Sequence, residues 1–358
     1  MRILLLSKYS RMGASSRLRS LQYLPYLEAE GIEVVARPLF DDQYLEALYT
    51  QGSRSVFKIF RQYCLRLLLL LRCSSFDLIW IEKEIFPYLP AFFERMFSLC
   101  GKPYVVDYDD AIFHNYDLSS NPVIRYFLGK KIDTVMRKSS LVIVGNDYLA
   151  SRARLAGATK VVVIPTVIDM TRYRAKTYLA DERLVIGWIG SPSTEHYVVS
   201  LRDVLSDVCG QFGAKLLLVG ATTAIVDRLS GCEVEVVPWS EESEVDQVCK
   251  MDIGIMPLTD EPWERGKCGY KLIQYMACGV AVIASPVGVN TTIVRGSNCG
   301  LLAEKEKDWL EALTAMLESR EMLAKYGAAG RQAVDNHYSL QVQSPNLVKL
   351  LKSMTLRN

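Results

Sequence analysis

The stretch Glu264-Arg265-Gly266-Lys267-Cys268-Gly269-Tyr270-Lys271-Leu272-Ile273-Gln274-Tyr275-Met276-Ala277-Cys278-Gly279 runs on into Val280-Ala281-Val282-Ile283-Ala284-Ser285, and its reading decides the fold. A polar loop containing Gly266 and Gly269 enters a helical run, Gly279 stops it, and a wholly apolar strand follows. A strand apolar on both faces belongs to a parallel sheet covered on both sides. Lys267 and Lys271 are four residues apart, which predicts that both stand on one face of the helix's first turn. Ammonium groups there oppose the helix macrodipole, so the pattern predicts an anion beside them. A solvated lysine pair is the alternative.

Working outward, short apolar runs alternate with longer amphipathic ones along the chain. The strand candidates are 3–7, 34–38, 78–81, 104–107, 141–144 and 161–164, then 184–188, 216–219, 234–237, 253–256, 281–284 and 300–303. This is the α/β pattern of parallel strands joined by crossover helices, and each half supplies a doubly wound sheet. Two Rossmann-like domains are expected, 1–168 and 169–338, with the polar segment 169–182 at the junction. A final helix within 339–358 is expected to return to the first domain. Ligands of such sheets bind beyond the carboxyl ends of the strands, so a cleft shared by the two domains is expected.

At 358 residues the chain exceeds what one core usually organises, and its apolar half suffices for two. The 42 basic and 40 acidic residues leave a net charge of +2, so no global field points to nucleic acid. Nine cysteines without a CxxC pair read as reduced thiols of a cytoplasmic protein. Three histidines at no mutual ligand spacing argue against a protein-held metal or other resident cofactor. Neither a signal peptide nor an apolar run of roughly 20 residues is expected.

Several loops carry residue types suited to anions and hydroxyl-rich ligands. Gly13-Ala14-Ser15-Ser16-Arg17 leaves the first strand and opens a helix, where backbone N–H groups favour an anion. A plain turn capped by Ser16 is the alternative, although Arg17 and Arg19 would then be surplus. Gly190-Ser191-Pro192 follows strand 184–188 and can offer donors to a diphosphate. Trp239 follows strand 234–237 and is either a base platform or a core residue. Asp107, Asp109 and Asp110 end strand 104–107, with His114 close behind, and suit sugar hydroxyls, acceptor deprotonation or helix capping. Arg54, Lys58, Arg61 and Arg66 punctuate an apolar segment without acidic residues. It reads as a basic amphipathic helix for anionic lipid, or as snorkelling arginines over an internal helix.

The run 267–285 resembles the donor-binding segment of retaining GT-B glycosyltransferases, in particular glycosyltransferase family four, with its E-x7-E and M-A-x-G-x-P-V-I-A patterns. Met276, Ala277, Gly279, Val282, Ile283 and Ala284 match, whereas Gly266 and Gln274 stand at the two glutamate positions. Val163-Ile164-Pro165-Thr166-Val167-Ile168-Asp169 is similar to the family's V-I-P-N-G-V-D. Trp188 occupies the place of the family's phosphate-binding arginine, and Asp109 that of a histidine contacting the transferred sugar.

The resemblance implies a GT-B fold and a glycosyltransferase that needs no metal. A sugar would pass from a nucleotide diphosphate donor to a glycan or lipid-linked acceptor, with retention, at the inner face of the cytoplasmic membrane. Lys267 and Lys271 would hold the diphosphate, with Gly190, Ser191, Pro192, Trp239, Tyr270 and Gln274 around the donor. Gly13, Ser15, Ser16, Arg17 and His114 would meet the acceptor, with Asp109 and Asp110 at the reacting centre. An inverting enzyme with Asp109 or Asp110 as base is an alternative, and so is a non-catalytic sugar-nucleotide or glycan binder.

Overall fold

The computed structural model describes residues 1–51, 56–177 and 183–355. Strands β1 (Arg2–Leu6), β2 (Glu33–Ala36), β3 (Leu78–Glu82), β4 (Tyr104–Tyr108), β5 (Leu141–Val144) and β6 (Val161–Val163) form one sheet, ordered β2-β1-β3-β4-β5-β6. Strands β7 (Val185–Ile189), β8 (Lys215–Val219), β9 (Glu233–Val237), β10 (Ile253–Met256), β11 (Ala281–Ala284) and β12 (Gly300–Leu302) form another, ordered β12-β11-β10-β7-β8-β9. Every pairing is parallel, as β1 with β3 and β7 with β10 illustrate. These are the doubly wound α/β sheets read from the alternation of apolar runs.

Each sheet has one point where the chain reverses its direction of travel. In the first, the chain moves from β1 out to β2 and returns past β1 to β3. In the second it moves from β7 through β8 to β9 and returns to β10. Connections diverging from neighbouring strands open a crevice at their carboxyl ends. The crevices therefore lie beyond β1 and β3 in one sheet, and beyond β7 and β10 in the other.

The chain divides into two compact units, Met1–Val167 with Gly266–Cys268 and Gln343–Asn358, and Ile168–Arg265 with Gly269–Val342. The tripeptide 266–268 thus packs with the first unit. Asn146 explains this, because its Nδ2 donates to the carbonyls of Gly266 at 2.8 Å and Lys267 at 3.0 Å. Helix Leu340–Thr355 carries its last turns to the same unit, where Lys352 pairs with Glu30 at 2.8 Å. Among the described residues, no helix is long and apolar enough to cross a membrane.

In the first unit β3, β4 and β5 are buried along their whole length, which accounts for their apolar sequences. In the second, alternate residues feed two cores, as a period of two requires. Ile186, Trp188, Leu216, Leu218, Ile253 and Ile283 meet Trp309, Leu313 and Met316 on one face. Ile189, Leu217, Val219, Val282 and Ala284 meet Leu272, Tyr275 and Met276 on the other. On that second face Gly254 lies beneath Tyr275, and a Cβ there would stand 2.4 Å from the ring. The helix seats directly on the sheet because this side chain is missing.

Strands β7 and β10 are in register only at Ile186 with Ile253 and Gly187 with Gly254. Beyond that they part, and the Tyr275 hydroxyl fills the gap. It accepts from the Ile189 N–H at 3.0 Å and donates to the Ile255 carbonyl at 3.2 Å. Tyr275→Phe removes both bonds inside a dry core, so urea unfolding of the variant should show a loss of about 1–3 kcal/mol.

Candidate functional site

In the first unit, the loop after β1 carries Lys8 to Gly13 into the short helix Ala14–Arg19. Gly13 begins that helix against Tyr9, whose Cβ would lie 2.4 Å from any Cβ added at residue 13. Ser15 accepts a hydrogen bond from Lys83 Nζ at 3.0 Å. Ser16 does not face a ligand. It is fully buried, donates to Glu82 Oε2 at 2.6 Å and accepts from the Tyr9 N–H at 3.1 Å.

The expected anion-facing role of the arginines is also corrected. Arg17 is buried and donates to the carbonyl of Arg11 at 3.1 Å. Arg19 grips Asp107 through Nε at 2.7 Å and Nη2 at 3.2 Å, while Nη1 donates to the Ile164 carbonyl at 2.8 Å. This pair clamps the first helix to the ends of β4 and β6. His114 is likewise taken: Nδ1 lies 2.8 Å from Asp117 and Nε2 lies 2.9 Å from the Tyr148 hydroxyl. With both ring nitrogens held by the protein, it does not present one to an acceptor.

Asp109 and Asp110 follow β4 and behave differently. Asp109 Oδ1 lies 2.8 Å from Lys83 Nζ, with only 13% of its side chain exposed. Burial opposes its ionisation, yet the Lys83 charge and the hydrogen bonds of Lys83 and Ser15 hold its carboxyl below the usual range. Asp110 stands 3.5 Å from Lys83 and keeps 31% of its side chain exposed. Burial and then the Asp109 charge push its carboxyl up, partly offset by Lys83 and Lys267. Sequence reasoning missed Lys83. Its signal was the run Ile81-Glu82-Lys83-Glu84-Ile85, three charges enclosed by apolar residues at the end of a buried strand.

Lys267 and Lys271 do not share a helix face. Gly269, at φ +65°, begins helix Tyr270–Ala277, so Lys271 lies in the first turn and Lys267 in the loop before it. A left-handed residue between them interrupts the helical geometry that four-residue spacing assumes. Lys271 places Nζ 4.5 Å from the centre of the Trp188 ring, a cation–π contact. A Cβ on Gly190 would lie 2.9 Å from that nitrogen and 2.2 Å from the indole, so only glycine leaves the ammonium its place. Lys271, Trp188 and Gly190 thus converge at the carboxyl end of β7, at the reversal point of the second sheet.

The neighbouring loop exposes Ser191 and Pro192 ahead of the turn Pro192–Thr194. Ser191 Oγ stands 2.9 Å from Ser193 Oγ. Trp239 and Gln274 meet at one buried carboxylate. Glu244 accepts from Trp239 Nε1 at 3.0 Å, from Gln274 Nε2 at 3.2 Å and from the Tyr173 hydroxyl at 2.8 Å. Gln274 is 3% exposed, so its amide serves this internal network, whereas Trp239 keeps 37% of its surface open. Tyr270 opens the lysine helix and packs partly buried on the core. Glu264 is buried and accepts from the Tyr197 hydroxyl.

Of the basic segment, Arg54 lies outside the described residues, and Arg66 does not meet lipid. Arg66 is buried on helix Val56–Leu70 and donates to the carbonyls of Ser7 at 2.8 Å and Arg37 at 2.9 Å. Burial lowers its pKa to about 10. The opposite face of the helix exposes Phe57 by 76%, Phe60 by 66% and Leu68 by 59%, with Lys58 and Arg61 also exposed.

Residues 183–319 match the family model described as Glycosyl transferases group 1. No curated protein matches the sequence significantly. Sucrose-phosphate synthase from Thermosynechococcus elongatus has a similar structure, with a TM-score of 0.76 at 14% identity, covering 100% of both chains. HepE of Anabaena, solved with UDP-glucose, has a TM-score of 0.72 at 15% identity, covering 99% of this chain and 100% of its own. WaaG, a glycosyltransferase involved in lipopolysaccharide biosynthesis, has a TM-score of 0.70 at 13% identity, covering 98% and 99%. The chain has the fold of the GT-B glycosyltransferases.

Arg19 separates a structural charge from a ligand-binding one. Arg19→Met leaves Asp107 buried without its partner, and denaturant unfolding should register a loss of about 3–5 kcal/mol. Ser191→Ala removes the hydroxyl at the N-cap of the turn Pro192–Thr194, and the same measurement should register the smaller loss of about 0.5–2 kcal/mol.

Proposed function

We propose that this protein is a glycosyltransferase that moves a sugar from a nucleotide diphosphate donor to a glycan or lipid-linked acceptor. The observation that carries the reading is the Lys271 ammonium over Trp188 and beside Gly190, at the carboxyl end of β7. A parallel sheet binds ligands beyond such an edge at its reversal point. The match of residues 183–319 to a glycosyltransferase family model supports the same reading. Because HepE was solved with UDP-glucose, uridine is the first nucleotide to test.

Transfer forms a bond from the acceptor oxygen to the anomeric carbon as the bond from that carbon to the phosphate oxygen breaks. The electron pair leaves on the diphosphate, whose extra negative charge a fixed ammonium stabilises more than it stabilises the donor. Lys271 supplies that charge, while the exposed Ser191 loop offers hydroxyls and N–H groups to the same phosphates. In the retaining course the acceptor proton passes to a leaving phosphate oxygen, consistent with the resemblance to retaining enzymes. In the inverting alternative it passes to a carboxylate of the first unit, and the exposure of Asp110 favours Asp110 over Asp109 for that role.

We place the enzyme at the cytoplasmic face of a membrane, through the exposed face of helix Val56–Leu70. Aromatic and aliphatic side chains beside Lys58 and Arg61 bind anionic lipid by burial and charge together.

Thermal-shift measurements against a panel of sugar nucleotides test the central reading, because a specific ligand raises the melting temperature. At least one nucleoside diphosphate sugar should do so, and Lys271→Met should weaken it about 10- to 100-fold, as expected for losing a charged contact. No shift across the panel would overturn the assignment. NMR of the released product then reads the anomeric configuration. In flotation with vesicles of phosphatidylglycerol and phosphatidylcholine, Phe57→Ser with Phe60→Ser should abolish binding, while the helix network at Arg66 keeps the variant folded.

A further inference from the structure

The first sheet's crevice, beyond β1 and β3, contains a buried lysine. Lys83 is the residue after β3, and it adopts φ +66°. A side chain other than glycine enters this region at a cost, which the surroundings must offset. The turn points the ammonium back over the sheet edge, where its side chain is only 10% exposed. Three groups receive it: Asp109 at 2.8 Å, Ser15 Oγ at 3.0 Å and Asp110 at 3.5 Å.

The neighbours on each side are also charged. Glu84, the next residue, accepts from the Tyr116 hydroxyl at 2.8 Å and pairs with Lys131, while Glu82, the residue before, is taken by Ser16. Lys8, in the loop after β1, lies with its Nζ 5.2 Å from the Tyr9 ring centre. Burial, and after it the Lys83 charge, holds the Lys8 ammonium below its ordinary value. Burial works against Lys83 too, yet Asp109 and Asp110 outweigh it and raise its pKa.

We propose that Lys83 is a positioning residue: its ammonium closes Asp109 into an ion pair and leaves Asp110 as the carboxylate that meets a ligand's hydroxyl group. This rests on the glycosyl-transfer reading and deepens it by assigning the hydroxyl-binding side. The geometry favours the division, because Asp109 makes the close ion pair at 2.8 Å with 13% of its side chain exposed, whereas Asp110 stands at 3.5 Å and keeps 31% exposed. A sugar hydroxyl has the right chemistry, being a neutral donor that a carboxylate prefers to a second carboxylate. The groups facing Asp110 are Asp109, Lys83 and Lys267, with Ser15, Arg19 and the Cys268 thiol behind Asp109.

The sign of the expected effect follows from the charges. A cation beside a carboxylate favours its ionised form, so removing Lys83 raises the pH at which Asp110 ionises. Carboxyl carbon NMR of the full chain, labelled at aspartate and assigned with Asp110→Asn, reads that midpoint without any turnover. Lys83→Met should raise it by about one pH unit or more, and Lys83→Arg should bring it most of the way back. Asp109→Asn removes the like charge and should lower it, which decides the matter if Lys83→Met does not fold. An Asp110 midpoint unmoved in both Lys83→Met and Asp109→Asn overturns the proposal.

Turnover of the sugar nucleotide found by thermal shift gives the second reading. In the Lys83→Met protein the acid limb of kcat/KM should move to higher pH together with the Asp110 midpoint. An unmoved acid limb beside a shifted midpoint removes Asp110 from the ligand and overturns the assignment. If no sugar nucleotide binds wild-type protein but the midpoints still move as stated, the Lys83 arrangement stands and glycosyl transfer is what fails.

Discussion

A charge buried at the edge of a parallel sheet must be paired, because the cost of stripping water from a lone ion exceeds what the fold can absorb. In the first unit this constraint organises the whole carboxyl edge. Arg19 closes on Asp107 at 2.7 Å, Lys131 on Glu84, and Lys83 on Asp109 at 2.8 Å. Each pair joins elements far apart in sequence, so the same bonds that neutralise the charges also hold the loops over the crevice. Once these pairs are made, Asp110 keeps 31% of its side chain exposed, at 3.5 Å from Lys83.

The second unit solves a different problem with fewer charges. Its sheet reverses between β7 and β10, where the two strands part and leave backbone groups without a ladder partner. Tyr275 supplies the missing donor and acceptor, and Gly254 leaves room for its ring. That arrangement seats helix Tyr270–Ala277 on the sheet and aims its first turn at the end of β7. Lys271 reaches Gly190 because the helix is held there, and Trp188 faces its ammonium.

The polar residues around helix Tyr270–Ala277 have local physical roles. Gln274 donates to the buried carboxylate of Glu244, where a glutamate would bring a second carboxylate. Two carboxylates so close in a dry site would repel, whereas an amide donates to the one that is present. Lys267, expected to share a helix face with Lys271, lies in the loop before the left-handed Gly269, where Asn146 holds its carbonyl.

What the sequence by itself determined was everything that depends on short-range pattern. Each expected strand is present with its ends within two residues of the reading, since apolar runs of strand length bounded by turn residues have few other uses. The two sheets, the helix–strand unit 270–284 and the loops at their carboxyl ends followed from that. Only the tertiary structure decided which polar residues in those loops are structural. Ser16, Arg17, Arg19, Arg66 and His114 look in sequence like ligand contacts, and all are taken by partners within the fold. The partners of Arg19 and Ser16 are invisible to spacing: Asp107 is 88 residues from Arg19, and Glu82 is 66 residues from Ser16. Periodicity reports which face of an element is buried, whereas the pairing of charges is settled by distances that exist only after the sheets have formed.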